Sequence, residues 1–145
     1  MEKEAKTKQT QEETPIKDFE SATLLQKGDI LQKSYDDLLF FGRAFLPGDF
    51  LRKSESPAFH YDIGQKLTTT KPGARICNIL PRGFGKSVLA KAAILHKICF
   101  SPKGERQFIA WVAEEQGQAI DHLKYVKTHL EINKYIRYYF GNLAG

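Results

Sequence analysis

The most informative part of this sequence is RICNILPRGFGKSVLAK, residues 75–91, where an apolar run, a glycine loop and a helical pattern follow one another. The apolar residues 75–80 end at Pro81, and such a short run predicts a buried β-strand. After the loop, residues 88–100 are apolar on most sides, which predicts a helix covered by other elements. A strand, a glycine loop and a helix in this order are the context that a phosphate-binding loop requires.

The loop itself, residues 81–87, contains the residue types that bind a nucleotide phosphate. Gly83 and Gly85 let the backbone turn so that its amide hydrogens point at phosphate oxygens, and the helix starting near Lys86 aims its positive end at the same anion. Lys86 is expected to reach the β- and γ-phosphates of ATP, and the Ser87 hydroxyl to bind Mg²⁺. The predicted nucleotide contacts are Pro81, Arg82, Gly83, Phe84, Gly85, Lys86 and Ser87.

Two residues of this stretch leave alternatives open. The complete pattern G-x-x-x-x-G-K-S/T requires a glycine where Leu80 stands, so the alternative is a chance Gly-Lys-Ser at a helix start. Arg82 is either a planar cation that stabilises charge developing on the transferred phosphate or an ordinary surface arginine. The flanking elements and the two glycines favour a nucleotide site, with Arg82 and Lys86 as its catalytic residues.

Composition and charge agree with an intracellular protein that binds a polyanion. The chain has 145 residues, 41% of them hydrophobic and 27% charged, which is a globular composition. Lys71 to Arg106 contains eight basic residues and one acid, against a net charge of +5 for the whole chain. No apolar run approaches the roughly 20 residues that span a bilayer. Cys77 and Cys99 are too few for a disulfide scaffold or a zinc module.

The sequence divides into three predicted regions. Residues 1–17 are almost without apolar groups and predict a flexible, disordered tail, residues 18–72 a helical lead-in, and residues 73–145 an incomplete ATPase domain. The further expected elements are a helix from Ser34, as its N-cap, to Leu46, a helix that opens at Ser56-Pro57 and passes Leu67, a strand from Gln107 to Ala113, a helix from Gln116 to Ile132 and a short helical piece from Tyr135 to Phe140, closed by Gly141.

The order of these elements predicts an α/β fold, the start of a parallel sheet flanked by helices, as in P-loop NTPases of the ASCE type. Only two strands are visible, and a doubly wound sheet needs more. We therefore expect the chain to be the front part of a longer protein.

With Arg82 three residues before Gly85, the loop resembles the deviant Walker A of phage terminase large subunits, the ATPases that pump DNA into empty capsids. Residues 45–47 (FLP) and 56–60 (SPAFH) are similar to the segment upstream of that loop which packs near adenine, so Phe59 and His60 are expected beside the base. The resemblance extends over roughly residues 35–143.

This resemblance implies a motor that couples ATP hydrolysis to translocation of double-stranded DNA into the procapsid. It implies a homo-oligomeric ring on the portal protein, a small terminase subunit as partner, a place in the host cytoplasm and on the procapsid, and an RNase H-like nuclease domain beyond this chain. A Walker B carboxylate has no clear match, because the apolar residues 108–113 end in Glu114 and Glu115 without the expected Asp.

Two other classes of protein remain open. Residues 80–87 are also similar to motif I of RecQ-like helicases of superfamily 2, which usually carry threonine in place of Arg82, and Gln65 could imitate their adenine-reading glutamine. The other alternative is a truncated subunit that binds nucleotide without hydrolysing it.

Overall fold

A computed structural model describes residues 22–51, 55–69, 71, 73–102, 105 and 108–143 of the chain. The predicted tail, residues 1–17, lies outside them. The described residues form the helices α1 (Leu24–Asp36), α2 (Leu38–Phe45), α3 (Pro47–Phe50), α4 (Ala58–Thr69), α5 (Lys86–Cys99), α6 (Gln116–Ile132) and α7 (Lys134–Phe140).

The predicted α/β fold is wrong, because the described part of the chain is helical and contains no strand. Two strands were predicted, over residues 75–80 and 107–113. Residues 75–80 and the described part of the second segment, residues 108–113, have no regular secondary structure. A strand exists only when a neighbour pairs with its backbone, and apolar, β-branched composition by itself describes a surface to be covered. Ile79 and Phe108 are 89% and 95% exposed, so neither segment is covered in the way a buried strand would be.

The four later helices match their predictions closely. α6 has the predicted bounds, and α4 and α5 begin within two residues of the predicted starts. The Asn133 side chain accepts hydrogen bonds from the first amides of α7, and Gly141 ends that helix with a φ of 80°. Capping signals are local, which explains why the end of α7 at Gly141 could be predicted from the sequence.

The first predicted helix is wrong in its start. Ser34 does not cap a helix but lies buried within α1, whose own N-cap is Thr23 in a capping box with Gln26. The chain then breaks at Asp37, whose carboxylate accepts a hydrogen bond of 2.8 Å from the amide of Leu39 and caps α2. Ser34 and Asp37 are both residue types that cap helices. In the structure Asp37 caps α2, and Ser34 is buried within α1.

The apolar helix α2 forms the centre of the molecule. It contacts α1, α3, α4, α5 and α7, and the rings of Phe41 and Phe45 are fully buried with centroids 5.1 Å apart. Because α4 and α5 both pack on α2 and on each other, the first turn of α4 lies against the loop that precedes α5. Among the described helices, none is both long enough and apolar enough to cross a membrane.

Candidate nucleotide-binding site

The glycine loop adopts a conformation that depends on its two glycines. Gly83 has a φ of 83° and Gly85 a φ of 73°, in the left-handed region that other residues enter only with strain. Gly85 is the N-cap of α5, and no side chain there bonds to the helix start. The amides of the first turn of α5 are therefore not capped by a side chain, and such amides attract anions.

Lys86, the first residue of α5, folds its side chain back over the loop. Its ammonium group donates hydrogen bonds to the carbonyl oxygens of Leu80 and Pro81, the latter at 2.9 Å. An ammonium has three donors, so this arrangement leaves one for an anion at the loop. The side chain thus joins the start of the loop to the start of the helix and places a positive charge between them.

The first turn of α4 braces the other side of the loop. The Nε2 atom of His60 lies 3.0 Å from the carbonyl oxygen of Phe84, and since a carbonyl accepts, the imidazole N–H is the donor. The rings of Phe59 and Phe84 have centroids 5.8 Å apart. A Cβ on Gly85 would lie 3.4 Å from His60 Nε2, which is an ordinary contact distance, so it is the left-handed φ of Gly85 that requires glycine there.

A cavity of about 230 Å³ opens between the loop, α2, α3 and the start of α4. The lining residues are Leu39, Asp49, Phe50, Glu55, Ser56, Pro57, Phe59, His60, Gly83, Phe84, Gly85, Val88 and Leu89.

The structure brings together some of the predicted site residues and leaves others outside the cavity. Five of the residues predicted to contact the nucleotide line it, namely Phe59, His60, Gly83, Phe84 and Gly85. The predicted contacts Pro81, Arg82, Lys86 and Ser87 border it without lining it, and of these only Lys86 is part-buried.

The acids that could imitate a Walker B pair lie elsewhere. Glu114 and Glu115 are exposed just before α6, and neither is among the described residues that line the cavity. The described residues also contain no cluster of three or more metal-binding side chains. Ser87, the predicted magnesium ligand, lies on the first turn of α5. If it binds Mg²⁺, phosphate oxygens of the nucleotide would be expected to supply further ligands.

Sequence reasoning missed Asp49. This half-buried carboxylate on α3 lines the cavity, and the hydroxyl of Tyr125 on α6 donates a hydrogen bond to its Oδ2 atom. The ammonium group of Lys91 lies 3.9 Å from the centroid of the Tyr125 ring. The only local signal for Asp49 was its place as an acid after Pro-Gly and between apolar residues. Its hydrogen-bond partner Tyr125 stands 76 positions away in the chain, so no local pattern could reveal the pair.

Burial shifts the titration of the groups around Asp49. It raises the pKa of Tyr125, and the hydrogen bond to Asp49 raises it further, so the phenol remains a donor throughout the physiological range. Burial also lowers the pKa of His129, where the negative charge of Asp49 opposes the shift and Lys91 adds to it.

No protein-family model, curated protein or solved structure matches this chain. Its function must therefore be argued from the geometry of the loop and of the cavity beside it.

Proposed function

We propose that this chain is the ATP-binding part of a viral DNA-packaging motor of the terminase large-subunit kind. The observation that carries the proposal is the glycine loop of residues 81–87, which turns through two left-handed glycines directly into α5 and has Lys86 folded over it. This combination of backbone amides, helix start and lysine ammonium suits a nucleotide phosphate.

In this proposal the loop binds the phosphates and each residue has a defined part. The amides around Gly83 and Gly85 donate to phosphate oxygens, and Lys86 supplies the third donor of its ammonium. Ser87 holds Mg²⁺ through its hydroxyl. Arg82, exposed at the turn, is placed to approach the outermost phosphate and to stabilise the charge that develops there during transfer.

The cavity beside the loop takes the base of the nucleotide. At about 230 Å³ it is smaller than the pockets of roughly 300–1,000 Å³ that enclose whole small molecules. The base therefore enters the cavity while the phosphates lie on the exposed side of the loop. Phe59 and His60, which line the cavity, contact the base in this proposal.

The assignment to DNA packaging is supported by the resemblance of the loop and its flanking segments to large terminases, and by the basic stretch from Lys71 to Arg106. The motor would hydrolyse ATP to drive double-stranded DNA into a procapsid. Its partners would be the portal protein, a small terminase subunit and further copies in a ring, in the host cytoplasm and on the procapsid. The helicase alternative has less support, because Gln65 is exposed on α4 and is not among the described residues lining the cavity.

Calorimetric titration of the full chain with ATP and Mg²⁺ tests the site. We expect saturable binding by the wild type and a loss of at least tenfold in affinity for Lys86→Ala, because a charged donor to phosphate is removed. Lys97→Ala is the matched control, since it removes the same charge from the exposed far end of α5 and should leave the affinity unchanged.

Equal ATP affinity in Lys86→Ala and in the wild type would contradict the phosphate site. Separation of the strands of a forked DNA duplex in the presence of ATP would instead favour the helicase and overturn the packaging assignment.

A further inference from the structure

We infer that Asp49, held by Tyr125, reads the base of the bound nucleotide and selects adenine through its exocyclic amine. This inference rests on the proposed nucleotide site, and it adds a specificity-determining residue that lies outside the glycine loop.

The position of Asp49 supports a role toward the base. It lines the same cavity as Gly83 and Gly85 but belongs to α3, and the cavity lining also includes the apolar side chains of Phe50 and Pro57. Apolar walls with a few polar groups are the usual surroundings of a bound base. The phosphates would lie at the glycines, so a group on the α3 side meets the opposite end of the nucleotide.

The carboxylate of Asp49 is fixed by neighbours from two other helices. The Tyr125 hydroxyl of α6 donates to its Oδ2 atom, and the Lys91 ammonium of α5 lies over the Tyr125 ring at 3.9 Å from the centroid. Tyr125 remains protonated because burial raises its pKa. A carboxylate held in this way keeps one orientation, whereas Glu55, the other acid of the cavity, is exposed.

The Oδ1 atom of Asp49 suits the exocyclic amine of adenine. With Tyr125 on Oδ2, the Oδ1 atom keeps both of its lone pairs for a ligand, and adenine presents an amine donor on its exocyclic nitrogen. A charged acceptor makes a stronger hydrogen bond than a neutral one, so a purine that carries this amine is favoured over one that lacks it.

The test compares ATP with purine riboside triphosphate, which lacks only the exocyclic amine, by calorimetric titration of the full chain with Mg²⁺. We expect the wild type to bind ATP about tenfold more tightly, the effect of one hydrogen bond to a charged acceptor. Asp49→Ala should bring the ratio of the two affinities close to one, and Tyr125→Phe, which keeps the ring, should reduce it. Asp49→Ala also changes the net charge of the protein. This change affects the binding of both nucleotides equally, so it does not alter the ratio of their affinities.

Asp62→Ala is the matched control. Asp62 is an exposed carboxylate on α4, paired with Lys66 at 2.7 Å, and is not among the described residues lining the cavity. Its removal should leave the tenfold ratio intact. Equal affinities of the wild type for the two nucleotides, or a ratio that persists in Asp49→Ala, would overturn the inference.

Inorganic tripolyphosphate separates failure of this inference from failure of the nucleotide site. If the wild type binds tripolyphosphate and both nucleotides equally, the phosphate site stands and only base reading by Asp49 is overturned. If the wild type binds none of the three, both proposals are overturned.

Discussion

Gly85 shows how much one residue contributes to the proposed site. It has a left-handed φ of 73°, is the N-cap of α5 and lies against the imidazole of His60. The neighbouring Gly83 is also left-handed, and a Cβ there would meet no atom within 4 Å. Both glycines therefore serve the backbone turn, since the 3.4 Å from a Cβ on Gly85 to His60 is an ordinary contact distance.

Gly85→Ala should damage the loop more than the fold. We expect a loss of about 1–2 kcal/mol in the free energy of unfolding from the left-handed backbone, and a loss of tenfold or more in ATP affinity, because alanine disfavours the turn that directs the loop amides at the proposed phosphate position. Urea unfolding and calorimetric titration measure the two effects.

Gly28→Ala is the control for that substitution. Gly28 lies within α1, has open space where a Cβ would stand, and should tolerate alanine with a gain of up to about 1 kcal/mol. Unchanged ATP affinity in Gly85→Ala would show that phosphate binding does not depend on the left-handed turn at Gly85.

At the scale of elements, His96 joins α5 to the end of α1. It is 6% exposed, and its Nε2 atom lies 3.1 Å from the carbonyl oxygen of Ser34 and 3.2 Å from that of Tyr35. Its ring stands among aromatic neighbours, with the Phe100 centroid 4.7 Å away. Burial lowers the pKa of His96, although the two carbonyl contacts oppose the shift.

The lowered pKa of His96 predicts that acid weakens the fold. Below about pH 6.5 the unfolded chain takes up a proton that the folded chain does not, so stability is complete above that pH and falls as the pH falls. The slope is at most about 1.4 kcal/mol per pH unit for one histidine. Urea unfolding between pH 7.5 and pH 5.5 measures it, and His96→Gln should reduce it.

The pKa of His129 is also lowered, so part of the pH dependence of the unfolding free energy should remain in His96→Gln. His122→Gln is the control, because this histidine lies on α6 beside Trp111 rather than against backbone carbonyls of α1. A pH dependence that is identical in the wild type and in His96→Gln would contradict the role given to His96.

At the scale of the whole molecule, the described residues form a helical body around α2 with the glycine loop at one edge. The residues proposed to bind phosphate and the cavity proposed for the base lie at this edge, but the acids that follow residue 113 are not among the described residues lining the cavity. ATP hydrolysis requires a carboxylate to orient the attacking water, in addition to a phosphate site.

We therefore expect this chain to bind ATP and to hydrolyse little of it. Phosphate release at saturating ATP and Mg²⁺ should stay well below about 1 per second, a usual lower bound for enzymes. Lys86→Ala supplies the background rate, since it removes the proposed phosphate ligand. Turnover at or above about 1 per second that depends on Lys86 would contradict this expectation and would place a competent carboxylate within the chain.

The extent to which the sequence predicted this protein follows from the range over which each signal acts. Helix caps, the 3.6-residue period and the two loop glycines act over a few neighbouring residues, so α4 to α7 and the turn at Gly83 and Gly85 were predicted, whereas phosphate binding by the loop stays a prediction. The strands were not, because a strand requires a partner that no local pattern specifies, and residues 75–80 have none among the described residues.

What only the tertiary structure decided is which distant residues meet. Packing of α4 and α5 on α2 brings His60 to Phe84 across 24 positions, and packing of α6 brings Tyr125 to Asp49 across 76. Such contacts depend on the shapes of whole faces and not on any short pattern. The sequence alone therefore determined the glycine turn and most of the helices, while the cavity beside the loop and the carboxylate that lines it came from the way the helices pack.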